Sequence, residues 1–275
     1  MIVTLTTDFG LDDGYVAAMK GAMLSVAPDV RFVDVSHHVP TQDVMEAAFV
    51  LRQAAGAFPD RTVHLVIVET GPLCRPLAAR FRPMGSTGEH FYVGPDTGLL
   101  SLLSDTPPAR VVVLDRPDLW RTPGASTFRG RDVFAPVAAA LASGASLLDV
   151  GTPTDEMATL RWALPRADSQ GVEGWVVHVD RSGTCITNIP RETVEAHRSG
   201  RPLRVYAGST ILRGVTSEMT EQSAAEPLAM YGSSGSLEIR LSKGHAAQLL
   251  SIQRGTAVRL IFDSRPVRAR HVAEA

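Results

Sequence analysis

The chain opens on an apolar, β-branched run that stops in Thr6-Thr7-Asp8-Phe9-Gly10, and apolar positions at helical spacing follow from Tyr15. That order predicts a strand, a tight turn and a helix over Tyr15 to Val26. The same alternation continues through the first half. Strand-like runs cover Val3 to Thr6, Phe32 to Val35, Val63 to Val68, Phe91 to Val93 and Val111 to Leu114. Between and after them, helical spacing covers Val44 to Ala54 and Val133 to Ala142. Alternating strands and helices predict an α/β domain with a mostly parallel sheet and flanking helices.

The pattern changes after Pro165. Residues Pro165 to Gly171 are polar and bounded by proline and glycine, which reads as a linker. Beyond it, Gly174 to Val179, Thr184 to Ile189, Leu203 to Tyr206, Ser236 to Leu241 and Val258 to Phe262 alternate like short strands between turn residues. Long helical periodicity is scarce there, so a small antiparallel barrel or sandwich is expected. The expected division is therefore 1–164, a linker over 165–171, and 172–275.

At 275 residues the chain can bury a substantial core as one large or two smaller domains. Its net charge of -2, with both signs interspersed, gives no basic stripe for nucleic acid. No apolar run approaches the roughly 20 residues that span a bilayer. A strand that begins at once leaves no room for a signal peptide. The two cysteines, Cys74 and Cys185, form no metal-ligand or disulfide pattern. These features predict a cytoplasmic protein without membrane or nucleic-acid partners and without a bound metal.

Asp8 ends the first strand, where ligands sit in open α/β sheets; it could equally cap the following helix. Three further clusters place polar groups beside strand ends or turns. In Val68-Glu69-Thr70-Gly71-Pro72-Leu73-Cys74-Arg75, a carboxylate and a guanidinium leave one apolar strand, as a polar site or a rim ion pair. Phe128-Arg129-Gly130-Arg131-Asp132 precedes a helix start, where Arg131 and Asp132 could be simple capping and surface pairing. Asp180-Arg181-Ser182-Gly183 reads as a hairpin turn or a binding loop. His37-His38 is no metal pair, because successive strand residues face opposite ways; His37 reads as a hydrogen-bonded structural histidine.

Collinear motifs then add to this reading. They are Thr6-Thr7-Asp8-Phe9-Gly10 with Met19-Lys20-Gly21, Val33-Asp34-Val35-Ser36-His37, Val93-Gly94-Pro95-Asp96, Gly130-Arg131-Asp132-Val133-Phe134-Ala135-Pro136, Thr187-Asn188-Ile189 and Leu237-Glu238-Ile239. In that order the chain resembles the S-adenosylmethionine hydroxide adenosyltransferase family, relatives of the halogenating fluorinase and chlorinase. The resemblance implies an α/β domain followed by a β-barrel domain. It also implies a homotrimer binding S-adenosylmethionine or adenosine at subunit interfaces, with no cofactor beyond S-adenosylmethionine as substrate.

It further implies site residues. Asp8 would take the ribose hydroxyls, Phe128 would wall the sugar pocket, and Gly130 would leave space beside the reacting carbon. Asp180 would hold the α-ammonium and Ser233 the carboxylate of the methionine part, with backbone near Leu241 and Lys243 facing adenine. Three catalytic positions follow: Glu69, Arg75 and Arg129. The family loop reads approximately V-D-P-G-V-G-T-x-R-R, so Glu69 stands for its aspartate and Arg75 for its arginine. The family's F-H-G-R-D has its histidine replaced by Arg129, which stays charged and cannot serve as a base. Ser182 and Thr184 replace a phenylalanine and an asparagine in the fourth motif, and Gln42 stands where relatives often carry an aromatic.

The implied reaction is attack at ribose C5′ with loss of methionine, giving adenosine if water attacks. Arg75 and Arg129 admit a second version with a halide or small carboxylate as nucleophile. A third version is a binder of S-adenosylmethionine or adenosine that has lost the chemistry.

Overall fold

A computed structural model describes residues 1–68, 74–83, 86–104, 106–122, 127–217 and 226–263. They divide into two compact units, 1–160 and 161–275. Among them, no helix is long and apolar enough to cross a membrane.

The first unit alternates β1 (Ile2–Thr7), α1 (Tyr15–Val26), β2 (Arg31–Ser36), α2 (Val44–Ala55) and β3 (Val63–Ile67). Strands β4 (Pro76–Phe81), β5 (His90–Pro95) and β6 (Arg110–Val113) follow, then α3 (Ala135–Ala142), α4 (Leu147–Val150) and the short β7 (Thr152–Pro153). One seven-stranded sheet runs β2-β1-β3-β5-β4-β6-β7. It is parallel from β2 to β5 and antiparallel from β5 to β7. The interior strands β1 and β3 are buried along nearly their whole length, β3 as an almost continuous apolar run and β1 with its three threonines buried among apolar residues.

β4 is absent from the expected elements. Its sequence Pro-Leu-Ala-Ala-Arg-Phe has proline, two alanines and no β-branched residue, so local propensity for strand is low. It forms because β5 and β6 flank it on both edges. Helix α1 turns Val16, Met19, Ala22 and Met23 inward, and α3 is buried along almost its whole length. These helices share one core with β1, β3 and β5, which includes Leu5, Leu65, Ile67 and Val93. Truncating one such side chain, Met23→Ala for instance, costs about 2–5 kcal/mol.

The second unit is almost entirely β. After β8 (Arg166–Ala167) come β9 (Gly171–Val179), β10 (Cys185–Pro190), α5 (Arg191–Arg198), β11 (Leu203–Ala207), β12 (Thr210–Arg213), β13 (Pro227–Tyr231), β14 (Ser236–Leu241), α6 (Ala246–Leu249) and β15 (Ala257–Phe262). The antiparallel order is β12-β11-β15-β9-β10-β14-β13, with β8 paired to β9. Thr216, just past β12, bridges to Met230 of β13, so the two ends of the sheet nearly close into a barrel. The core lies inside it, on Val176, Cys185, Ile189, Val205, Leu237, Ile239 and Leu260. Arg166 and Ala167 belong to the stretch that reads as a linker, yet they are held as strand by Glu173 and Val172. Asp168 then turns the chain, accepting from the N–H groups of Gln170 and Gly171.

Candidate active site

Asp8 leaves β1 at its carboxyl end. It does not cap α1, whose N-terminal position is Gly14 without a side-chain cap. Its Oδ2 instead accepts from the Gln42 N–H at 2.9 Å. Gln42 has φ +61, a left-handed conformation that costs a non-glycine residue energy, and this aims its N–H at the carboxylate. Among the described residues, no donor reaches the other oxygen, Oδ1.

Next to Asp8 three rings meet. Phe9, Tyr15 and Phe128 lie 5.1–5.9 Å apart by centroid, and Phe128 stands edge-on to the other two. Such contacts are favourable because ring edges carry positive and ring faces negative charge density. The Arg131 guanidinium lies over the Phe128 ring at 5.5 Å and grips Asp132 through Nε and Nη2, at 2.7 and 2.8 Å. That grip raises the Arg131 pKa. Arg131 and Asp132 therefore pair with each other, but Asp132 is buried, so the pair is not the surface pairing of the simpler expectation, and no side chain caps the turn.

Gly130 to Phe134 wind as a π-helical turn into α3, with the Ala135 N–H bonded to the Gly130 carbonyl. Such wide turns interrupt α-helices mostly at functional positions. A side chain at Gly130 would meet Phe128 Cε2 at 2.8 Å and Met19 Sδ at 3.1 Å. The space on the side-chain side of Gly130 is thus taken by Phe128, Met19 and Ile67.

Arg129 donates from Nη1 to the Cys74 carbonyl at 2.8 Å and lies over the Phe134 ring at 5.3 Å. Arg75 is held by two carboxylates, donating to Asp96 Oδ2 at 2.8 Å and Glu156 Oε2 at 3.1 Å. A further Nη2 bond goes to the Glu156 carbonyl at 3.1 Å. The hydrogen bond to Asp96 raises the Arg75 pKa, outweighing the opposing effect of burial. Asp96 is nearly buried, and its second oxygen accepts from the Ala158 N–H. Sequence reasoning quoted Asp96 within a motif but missed its pairing with Arg75, which no local signal carries. Glu69 lies outside the described residues.

Beneath Asp8, His37 is buried and hydrogen-bonded to Thr7. It also lies 3.0 Å from Asp34 Oδ1, while Asp34 Oδ2 accepts from Lys20 at 2.6 Å. Burial pushes the Asp34 carboxyl up, but Lys20 and His37 more than offset this and hold it below its ordinary value.

In the second unit, Asp180 closes the turn from β9 to β10. Its Oδ1 accepts from Ser182 N–H, Ser182 Oγ and Thr184 N–H at 2.9, 2.7 and 2.9 Å. Burial works against the charge, but these bonds prevail and lower the carboxyl pKa. The hairpin-turn alternative accounts for these bonds, and the Thr184 hydroxyl adds to the same stabilisation of the carboxylate. Beside the turn lies a cleft of about 610 Å³ lined by Ser182, Gly183, Thr184, Arg240, Leu241, Ser242, Gly244 and His245. Leu241 is in its wall, and Lys243 is exposed between Ser242 and Gly244. Ser233 is exposed in the turn between β13 and β14, where Gly232 packs against the buried carboxylate of Glu238. Burial pushes the Glu238 pKa up, even beside Arg240.

His245 was not anticipated. It accepts from the Gln248 N–H at the start of α6, and its ring occupies the place of a side chain at Gly183. Gly183 has φ +86, so both its backbone and this close approach require glycine. The only sequence signal for His245 was a polar residue ahead of Ala246-Ala247.

Comparison with known proteins places this geometry. The family model for the SAM hydroxide adenosyltransferase N-terminal domain matches residues 3–151, and that for the C-terminal domain matches residues 174–259. An (R)-S-adenosyl-L-methionine hydrolase from Thermus thermophilus is 36% identical over 271 residues, covering 94% of this chain and 99% of the relative. A hydrolase of the same name from Salinispora arenicola is 33% identical, covering 94% and 97%. A fluorinase from Nocardia brasiliensis is 31% identical over 219 residues, covering 70% and 73%. A solved structure of an uncharacterized conserved protein from Thermotoga maritima superposes with a TM-score of 0.82 at 30% identity, covering 95% of this chain and all of the other. With both domain models matched in order over most of its length, the chain belongs to the SAM hydroxide adenosyltransferase family.

Proposed function

We propose that the protein hydrolyses S-adenosylmethionine to adenosine and methionine. Water attacks ribose C5′ as the C5′–S bond breaks. The bonding pair returns to sulfur as a neutral thioether, and the water's extra proton passes to a nearby base or to solvent. The sulfonium is already a good leaving group, so neither a general acid nor a metal or redox cofactor is required. The protein's contribution is alignment and partial desolvation of the attacking water.

The observation that carries this reading is the state of Arg75. Its single positive charge faces two carboxylates, Asp96 and Glu156, so its surroundings do not attract an anion. Arg129 is engaged by a carbonyl and a ring. The carboxylate pairing of Arg75 favours neutral water over a halide or small carboxylate as nucleophile. In this reading Asp8 takes the ribose hydroxyls with Phe128 as the sugar wall, and Glu69 polarises the water, a role that rests on the family resemblance alone. Asp180 takes the α-ammonium, Ser233 the carboxylate, and the backbone near Leu241 and Lys243 the adenine. Arg75 and Arg129 act by holding loop geometry, and Gly130 by admitting the Phe128 ring.

The reading extends to a homotrimer in the cytoplasm. The ribose groups, Asp8 and Phe128, lie in one unit of the chain and the methionine and adenine groups in the other, as expected if neighbouring copies share each site. Both cysteines are free thiols, which suits a reducing compartment. Product analysis after incubation with S-adenosylmethionine in chloride, fluoride and acetate buffers tests the chemistry. Adenosine and methionine in equal amounts in every buffer are expected. A 5′-substituted adenosine would establish anion transfer, and unchanged substrate a binder. A fully active monomer at micromolar concentration would overturn the shared site.

A further inference from the structure

His37 commits two of its groups to the segment that carries Asp8 and turns a third towards β2. Its ring Nδ1 lies 2.8 Å from Thr7 Oγ1, on one side of Asp8. Its backbone carbonyl accepts from the Gly10 N–H at 2.7 Å, on the other side. Its Nε2 faces Asp34, which is fixed in turn by Lys20 from α1. The Phe9 N–H donates to the Thr7 hydroxyl at 3.4 Å, and that hydroxyl can donate to His37 Nδ1. The other ring nitrogen lies 3.0 Å from Asp34 Oδ1 as an ion-pair neighbour, without the alignment of a hydrogen bond.

Thr7 is fully buried and His37 is 3% exposed, so each would lose free energy if its partner were removed. An apolar residue at position 37 would fill the same core without needing a hydroxyl, a carboxylate and an ammonium around it. What the polar chain adds is direction. It pins the residues on both sides of Asp8, while the strained Gln42 backbone pins Oδ2. Only Oδ1 is left to meet a ligand among the described residues.

We propose that His37 is a positioning residue for Asp8: through Thr7 and the Gly10 N–H it fixes how Asp8 presents its open oxygen to a pair of ribose hydroxyls. This rests on the assignment of Asp8 as the ribose contact. The consequence is energetic coupling between His37, Thr7 and Asp8 in nucleoside binding.

A double-mutant cycle on the full chain tests it, with adenosine as the probe in titration calorimetry and circular dichroism to follow folding. Thr7→Val keeps the shape of the side chain and removes the hydroxyl. It is expected to raise the adenosine Kd about tenfold when Asp8 is present and to leave it unchanged in the Asp8→Ala chain. His37→Ala should behave in the same way, and His37→Asn should recover most of the affinity, since its amide oxygen can stand near Nδ1. If Thr7→Val and His37→Ala weaken adenosine equally with and without Asp8, His37 is a packing residue and the proposal is overturned. If Asp8→Ala by itself binds adenosine as tightly as the unaltered chain, the ribose assignment falls and the proposal falls with it. The two failures are separated by the Asp8→Ala measurement alone.

Discussion

Arg129 Nη1 and the Cys74 carbonyl, 2.8 Å apart, tie the residue ahead of the π-helical turn to the approach of β4. At the position where the family carries a histidine, this chain carries a tether. Arg129→His should therefore maintain or raise adenosine formation, because imidazole can hydrogen-bond to an attacking water. The lost tether should lower stability by about 1 kcal/mol. Initial rates with S-adenosylmethionine and a denaturation midpoint measure both. A fall in turnover of an added anion, with nucleoside affinity spared, would instead assign Arg129 to holding that anion.

Asp8→Ala should weaken adenosine binding by about 1.5–3 kcal/mol, the usual cost of losing a charged acceptor. Calorimetry gives the value directly. Unchanged affinity would reduce Asp8 to a structural partner of the Gln42 N–H.

For Asp180 the informative change is to asparagine. The amide oxygen can keep the three bonds from Ser182 and Thr184 that hold the β9–β10 turn, while the charge is lost. Asp180→Asn is expected to weaken S-adenosylmethionine about tenfold or more and to leave adenosine unaffected, since only the former carries the ammonium. Equal weakening of both ligands would place Asp180 in the turn alone.

Stability should fall on acidification through two buried histidines of the first unit. Thr4 Oγ1 meets His64 Nδ1 at 2.7 Å, and His64 Nε2 meets His90 Nδ1 at 2.9 Å. Burial pushes His64 from an ordinary 6.5 down to about 3, with the neighbouring His90 adding to the shift; burial lowers His90 as well. Folded His64 stays neutral until the pH approaches 3, and folded His90 takes up its proton at lower pH than it does unfolded, so the unfolded chain binds more protons below 6.5. The stability from His64 is therefore complete above pH 6.5 and is lost progressively as pH falls towards 3. The slope is about 1.4 kcal/mol per pH unit for each such proton. Denaturant midpoints between pH 8 and pH 4 measure it, and His64→Gln should flatten the profile. A pH-independent midpoint across that range would show that the histidines titrate alike in both states.

Much of the fold is readable from local pattern. β1, β2 and β3 with α1 and α2 lie within a residue or two of the expected bounds, because a continuous apolar run or a helical spacing is a property of neighbouring residues. The same holds for β10, β11, β14 and β15, whereas β9 starts three residues earlier than expected, at Gly171. Two of the unread elements have weak local signals: β4 is rich in alanine and begins with proline, and α5 is short and half charged. β12 and β13 are unread as well.

For the candidate site, local pattern supplies the available residues and their order: Asp8 at a strand end, Phe128 ahead of a helix, Asp180 in a turn. What each side chain does with its bonding groups follows from the packed chain. Arg75 meets Asp96 and Glu156 from 21 and 81 positions away, Thr7 meets His37 from 30, and Gly130 gives its space to Phe128 against Met19 and Ile67. Those pairings depend on strand register and on which helix covers which face. They are set by burial of the whole core, so no window of sequence around either partner contains them.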